Sequence, residues 1–229
     1  CNVVFTSDRR MLPNFPSCDN MYFTVGFHPK DRTEVDMSFL EEMLSRPDVV
    51  GVGECGYDFS RYQSVPNNVL QHQLHNFTQQ LKLAHHYDVT VVLHLRDVNS
   101  LTSSALHKQA RDQMLTILSP SHRVHLHCFT GTPEDAIAWQ EAFPNLKFGV
   151  TSMISRPEMQ GFLQVVDIRR IVIETDAPYL VPSMYQHSAR NSPAFLDWTL
   201  DYLCRTFHMP PRIIARQLNQ NCREVYGLT

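Results

Sequence analysis

Four residues of types that bind metal ions stand at the ends of four apolar segments: Glu54, His94, His127 and Asp176. Two carboxylates and two imidazoles provide oxygen and nitrogen ligands that suit Mg²⁺, Mn²⁺ or Zn²⁺. Two such ions that share a bridging carboxylate can activate water and stabilise an in-line displacement at phosphorus. We therefore predict a metal centre in which Glu54 is the bridge. Asp176 is either a further ligand or the general base for the attacking water.

The segments before these residues have the character of buried strands. They are Val49–Glu54, Val89–His94, Arg123–His127 and Ile171–Asp176. Their ends are separated by 40, 33 and 49 residues (94−54, 127−94 and 176−127). Such intervals accommodate the strand, loop, helix and loop of a (β/α) barrel, whose parallel strands present their carboxyl ends on one face. We therefore expect the four side chains to converge.

Each of the four residues also has a purely structural interpretation. Glu54 could cap a backbone amide at the end of its strand, and each imidazole could be a hydrogen-bonded core histidine. Four strand ends that converge favour the metal site over these alternatives. His125 and Glu174 each lie two residues before a predicted ligand, on the same face one layer deeper. We expect them to support the ligands or to pack in the core.

The remaining pattern predicts an α/β fold, a TIM (β/α)8-type barrel in which seven of the eight strands are present. The seven predicted strands lie near Val3, Phe23, Val50, Val91, Val124, Phe148 and Ile173. Asn68–Tyr87 has helical spacing with one apolar stripe, and Arg156–Val166 is also predicted to be helical. Ser7–Asn20 is rich in proline and polar residues, which argues against a long helix. We predict a single domain over residues 1–229, with the missing strand expected upstream of Cys1.

Composition excludes several classes of function. The 229 residues carry a net charge of −3, so extended clamping of duplex DNA by basic side chains is not expected. None of the six cysteines has the C-x-x-C spacing of a zinc ribbon, and we interpret them as reduced thiols of an intracellular protein, cytoplasmic or nuclear. No signal peptide or apolar segment of ~18 residues is visible. We predict neither a membrane association nor a protein partner.

Six short motifs resemble those of one known family. GECGYDF, LHLRD, HCFTGT and ETDAPYL occur in this order, with YFTVGFHP before them and SARNSP after them. This pattern covers essentially the whole chain and resembles the TatD family of metal-dependent deoxyribonucleases. The resemblance implies an amidohydrolase-like TIM barrel and Mg²⁺-dependent hydrolysis of DNA phosphodiester bonds. It implies 3′→5′ exonuclease activity on single-stranded DNA or 3′ ends, with two metal ions in the complete enzyme.

The resemblance also assigns residue roles. Glu54, His94, His127 and Asp176 match the metal ligands of the family. Three further residues match positions that meet substrate phosphate: His28, Arg96 and Arg190. Their structural alternatives are a turn histidine, a surface salt bridge and a loop charge.

The chain departs from the family pattern at two places. The family begins with a strand that ends in His-x-His, which this sequence lacks, and Ser192 stands where its Arg-Asn-Glu-Pro loop has glutamate. Two alternatives therefore stay open. One is a related barrel hydrolase that acts on another phosphoester, an amide or an ester. The other is a catalytically impaired copy without the first strand.

Overall fold

A computed structural model describes residues 2–6, 21–98 and 103–228, with side chains from Met21 onward. Seven strands are present at the predicted places. Their bounds are β1 Asn2–Thr6, β2 Met21–Val25, β3 Val49–Asp58, β4 Thr90–Arg96, β5 Val124–His127, β6 Lys147–Val150 and β7 Ile171–Ile173. All seven predicted strands are therefore confirmed, whereas the expectation for Ser7–Asn20 falls outside the described residues.

The strands form one parallel sheet whose spatial order is their order along the chain. Each strand thus pairs with its neighbours in sequence, as in a (β/α) barrel. This confirms the predicted α/β barrel-type fold. Because the strands are parallel, all the loops that follow them emerge at one face, where the four predicted ligands lie.

Helices cover the outer face of the sheet. They are α1 Met37–Leu44, α2 Asn67–Tyr87, α3 Ser104–Leu115, α4 Pro133–Ala142, α5 Phe162–Val165, α6 Leu196–Phe207 and α7 Pro211–Tyr226. Helix α4 starts with a capping box, in which the Thr132 and Asp135 side chains each accept from the other's backbone amide. Within the described residues, no helix is both long and apolar enough to cross a membrane.

The predicted helix over Arg156–Val166 is wrong. Short 3-10 turns over Ser152–Ser155 and Pro157–Met159 precede the four-residue α5. Gly161, a poor helix former, lies between the second turn and α5, and Pro157 accounts only for the start of that turn, because a proline disfavours the helical conformation in the preceding residue. Arg156 accordingly has an extended backbone, with φ −69° and ψ 145°.

Helix α2 buries a face that is partly polar. Phe77, Leu81 and Ala84 are buried as the apolar stripe predicts, but Gln73 and Gln80 are buried as well. These glutamines are 4% and 1% exposed. Polar side chains at such depth require hydrogen-bond partners, and theirs lie in the loops at the carboxyl ends of β2 and β3.

The end of α7 closes the interior of the sheet from below. Val225 and Tyr226 pack against Val92 of β4 and Val172 of β7 in a small apolar cluster. The Thr90 hydroxyl donates a hydrogen bond to the Val225 carbonyl oxygen. The floor of the interior is therefore apolar, and the polar groups lie above it at the carboxyl ends of the strands.

Candidate metal centre

One carboxylate oxygen lies at the centre of the candidate site. Oε2 of Glu54 is 3.3 Å from Nδ1 of His94, 3.6 Å from Nε2 of His127 and 3.7 Å from Nε2 of His28. Nε2 of His127 is also 3.6 Å from Oδ1 of Asp176. The structure thus brings the four predicted metal ligands together and adds His28, which was predicted to meet phosphate.

The ring of His94 is oriented by Asp58. Nε2–H of His94 donates to Oδ2 of Asp58 at 2.8 Å. Burial would raise the pKa of Asp58, but hydrogen bonds from His94 and Ser60 hold it well below its usual value, so the carboxylate is ionised and can only accept. When the His94 ring carries a single proton, that proton is therefore on Nε2, and Nδ1 then presents its lone pair to Glu54.

This lone pair provides a test of whether a cation fits. Nδ1 of His94 is buried and has no hydrogen-bond partner among the described residues, although it lies 3.3 Å from a carboxylate oxygen. Burial would raise the pKa of Glu54, but the imidazoles of His127, His94 and His28 outweigh it, so Glu54 is ionised. A lone pair and an anionic oxygen at this distance repel each other unless a proton or a metal cation lies between them. The donors present fit a metal ion.

His127 is oriented in the same way by Glu174. Nδ1–H of His127 donates to Oε2 of Glu174 at 2.7 Å, while Oε1 of Glu174 accepts from the backbone amide of Cys128. Burial lowers the pKa of His127, but the charges of Glu174 and Glu54 outweigh it and raise that pKa well above its usual value. The negative potential at Nε2 therefore attracts either a proton or a metal ion.

A second polar layer lies below the first. Nδ1 of His125 is 2.7 Å from the Tyr226 hydroxyl, and its Nε2 is 3.6 Å from Oε2 of Glu174. Gly149 of β6 leaves space for this layer: a Cβ atom there would come within 2.1 Å of Oε1 of Glu174 and 2.5 Å of Nε2 of His125. His125 and Glu174 thus lie one layer deeper, as their spacing from His127 and Asp176 predicts.

His28 presents a proton rather than a lone pair. The backbone amide of Lys30 donates to Nδ1 of His28 at 3.0 Å, so a neutral ring carries its proton on Nε2, the atom that faces Glu54. Burial and the neighbouring His94 lower the pKa of His28 to about 3, which keeps the ring neutral near pH 7. Distance alone would allow a ligand role, since one donor atom each of His28, Glu54 and His94 lie within 4.8 Å of one another. The tautomer favours a hydrogen-bond donor to substrate.

The two predicted phosphate-binding arginines have different positions. Arg96 ends β4, is half-buried and lies opposite Asp58 in the strand register. Burial raises the pKa of Asp176, and the nearby charge of Arg96 opposes that rise. Arg190 is exposed in the loop after β7, and no described contact joins it to Glu54. Its role at phosphate stays a prediction.

Asn191 holds that loop against the segment that carries Asp176. Its buried side-chain amide donates to the carbonyl oxygens of Thr175 at 2.7 Å and of Leu180 at 3.1 Å. Its backbone amide donates to the carbonyl oxygen of Pro178 at 3.0 Å. The serine at position 192 therefore does not leave the loop unanchored.

Three residues of the site were not assigned a role from the sequence. Gln73 accepts from the Asp58 backbone amide at 3.0 Å and donates to the carbonyl oxygens of Asp58 and Pro29, both at 2.9 Å. Gln80 accepts from the amide of Phe27 at 2.8 Å and donates to its carbonyl oxygen at 3.1 Å. The sequence contained two spacings that could have identified these residues. Asp58 lies four residues after Glu54, on the same face of a strand. Gln73 and Gln80 are seven residues apart, on one helical face.

Comparison with known proteins shows that the sequence and the fold of this chain are similar to those of one family. Residues 9–227 match the family described as TatD related DNase. The 3'-5' ssDNA/RNA exonuclease TatD of Citrobacter rodentium is 30% identical, over 96% of this chain and 81% of that protein. The protein of the same name from Erwinia billingiae is 31% identical, over 90% and 77%. A TatD homologue of Escherichia coli K12 has a similar structure, with a TM-score of 0.80 and 24% identity over 99% of this chain and 86% of the other.

Proposed function

Because the chain belongs to the TatD family of hydrolases that act on ester bonds, we propose that it is a metal-dependent nuclease of single-stranded DNA or RNA. We propose 3′→5′ exonucleolytic cleavage, the activity named for its bacterial relatives. One observation carries the proposal. The carboxylates of Asp58 and Glu174 hold one ring nitrogen each of His94 and His127, which directs the other nitrogen of each ring at Oε2 of Glu54.

Glu54, His94, His127 and Asp176 would hold the metal. We propose Mg²⁺, with Mn²⁺ or Zn²⁺ as substitutes, and two ions in the active enzyme, to which Glu54 would contribute its carboxylate. A cation bound there supplies polarisation of the phosphate oxygens and lowers the pKa of a bound water. Asp58 and Glu174 orient the two imidazoles and make them better ligands, as carboxylate partners of metal-binding histidines do.

The chain's own groups then have distinct roles in hydrolysis. The water oxygen forms a bond to phosphorus while the bond from phosphorus to the 3′ oxygen breaks, and that oxygen leaves with the electron pair and takes a proton from solvent. Asp176 accepts the proton of the water, and Nε2–H of His28 donates a hydrogen bond to a non-bridging phosphate oxygen. Arg96 and Arg190 would neutralise phosphate charge.

Changing Asp176 to asparagine tests this assignment. The amide keeps the shape of the side chain but neither takes a proton from water nor binds a cation well, so we expect single-turnover hydrolysis of an oligonucleotide to fall at least ~100-fold. Binding of the oligonucleotide, measured by filter retention, should change by no more than about threefold. Asp112→Asn, a change of the same kind at an exposed position of α3, is the control.

Two results would contradict the proposal. Equal losses of binding and hydrolysis in Asp176→Asn would mean that this side chain only positions the substrate. The wild-type protein could also cleave a carboxylic ester or an amide, but no oligonucleotide in Mg²⁺ or Mn²⁺. That result would mean that the barrel catalyses a different reaction. Full hydrolysis in excess chelator would remove the metal from the mechanism.

A further inference from the structure

A cavity opens beside the candidate metal centre. It has a volume of about 470 Å³ and lies between the loops that follow β2 and β3 and the first turns of α2. Its lining includes Lys30, Arg32, Arg61, Tyr62 and Asn68. A pocket of this size, with a few polar groups on one side, is typical of small-molecule and nucleotide sites. We call it the lateral pocket.

The lateral pocket is joined to the metal centre through one carboxylate. Oδ2 of Asp58 accepts from Nε2 of His94 at 2.8 Å and lies 3.1 Å from Nζ of Lys30. Asp58 also lines the pocket, so it forms part of the wall between the two spaces. A strand that places one phosphate at Glu54 would therefore carry its neighbouring nucleotide past Lys30.

The pocket is cationic although the chain as a whole is acidic. Lys30, Arg32 and Arg61 face two carboxylates, Asp31 and Asp58, and the second of these is held by His94, Lys30 and Ser60. Arg32 and Arg61 are exposed, and neither has an ion pair with any described residue. Their guanidinium groups are therefore available to phosphate, which they bind in a bidentate manner.

Other parts of the lining suit the remainder of a nucleotide. Tyr62 is half-buried, and an aromatic ring beside cationic groups is the combination on which single-stranded nucleic acid stacks its bases. Helix α2 begins after Pro66 without a side-chain cap and has no acidic residue in its first turn. Its positive end therefore adds to the attraction for an anion.

We propose that the lateral pocket binds the nucleotide next to the scissile phosphodiester, with Arg32 and Arg61 on its phosphate and Tyr62 against its base. This inference rests on the proposed nuclease function, since it needs a nucleic-acid strand at the metal centre. This subsite would give the enzyme a higher affinity for a nucleic-acid strand than for an isolated phosphoester. Single-stranded substrate suits it, because only an unpaired base can leave its stack to reach Tyr62.

The test is the affinity of a fluorescently labelled single-stranded oligonucleotide, measured by anisotropy in chelator at several salt concentrations. Arg61→Gln and Arg32→Gln should each weaken binding about 5- to 10-fold and make the log–log salt slope less negative by about 0.7, the value for one lost phosphate contact on a single strand. The matched control is Arg169→Gln, which removes the same charge at the opposite end of the strands, where exposed Asp167 is the one ion-pair partner of Arg169 among the described residues. It should bind as wild type does.

Binding and hydrolysis are scored separately, so that the two proposals can fail independently. Loss of affinity in the Arg61 and Arg32 variants, with the Arg169 variant intact, supports the pocket even if wild-type protein cleaves no oligonucleotide, in which case only the nuclease proposal fails. Wild-type hydrolysis together with unchanged affinity in both pocket variants overturns the pocket and leaves the nuclease proposal standing. Equal losses in all three variants also overturn it, because they indicate general charge attraction.

Discussion

At the scale of single residues, the candidate site depends on which nitrogen of each imidazole carries the proton. Asp58 and Glu174 fix that choice for His94 and His127, because an ionised carboxylate can only accept. The backbone amide of Lys30 fixes the opposite choice for His28. Three histidines around one carboxylate thus divide into two candidate ligands and one hydrogen-bond donor, a distinction that distances alone do not provide.

Glu174→Gln tests the orientation of His127. Both partners of the Glu174 carboxylate, Nδ1–H of His127 and the amide of Cys128, are donors, and a glutamine amide can accept from only one of them. We expect metal affinity to fall about 10- to 100-fold, measured by calorimetric titration with Mn²⁺. Glu158→Gln, at an exposed position, should leave affinity unchanged. Wild-type affinity in Glu174→Gln would show that the orientation of His127 does not matter.

The four main residues of the candidate site could be predicted from sequence, as could the deeper layer of His125 and Glu174, but the contacts of Gln73 could not. Glu54, His94, His127 and Asp176 each end an apolar segment, which is a local pattern. Gln73 lies on a helix among other polar residues, where a glutamine usually faces water. The seven-residue spacing of Gln73 and Gln80 places both on one helical face, but the burial of that face follows from the loops that close over α2, and these loops are set by tertiary contacts.

At the scale of elements, helix α2 holds the β2 and β3 loops in place through its buried glutamines. Gln73→Leu would leave the backbone groups of Asp58 and the carbonyl of Pro29 without their partner. We expect the free energy of unfolding to fall by about 2–4 kcal/mol, measured by urea denaturation. Gln71→Leu, two residues away on the exposed face, should change it by less than ~0.5 kcal/mol. Similar losses in both would exclude this specific role.

The contact between α3 and α4 makes stability depend on pH. Nδ1 of His107 accepts from the Trp139 indole at 3.0 Å, and burial lowers the pKa of His107 from 6.5 to about 4. Between these values the unfolded chain binds more protons, so this contribution is complete above about pH 6.5 and is lost as the pH falls towards 4. It amounts to about 3 kcal/mol.

His107→Gln tests this linkage, because glutamine can accept the indole hydrogen bond but does not titrate. The fall in unfolding free energy between pH 6.5 and 4 should become smaller by about 3 kcal/mol in this variant. His86→Gln, at an exposed position of α2, should keep the wild-type pH dependence. Parallel pH curves for His107→Gln and wild type would show that His107 is not the titrating group.

At the scale of the whole molecule, few basic side chains lie close to the candidate site. The chain has a net charge of −3, while Lys30, Arg32 and Arg61 lie together at the lateral pocket. Few phosphates can therefore be neutralised, and the log–log salt slope for a single strand should be only about −2 to −3. Anisotropy titrations at several salt concentrations measure it. A slope near −10, as for a large duplex-binding repressor, would contradict this expectation.

The order of the seven strands followed from the sequence because strand-like apolar segments alternate with longer connecting segments along the chain. The contacts of α7 had no such signal. Its end meets β4 and β5 through pairs that are 135 residues apart, Thr90 with Val225, and 101 residues apart, His125 with Tyr226. Helical periodicity identifies the buried face of α7, but it does not identify the strands that this face contacts.

This closure by α7 has a consequence for how the protein is made. Val92 and Val172 lie on strands that a ribosome releases before Val225 and Tyr226 emerge, so their inward faces stay exposed to water until α7 has been released as well. Loop closure over more than 100 residues is slow, and the nascent barrel spends that interval with apolar surface available to chaperones. Val225 and Tyr226, which cover the interior, therefore also determine when the newly made chain no longer exposes this apolar surface to chaperones.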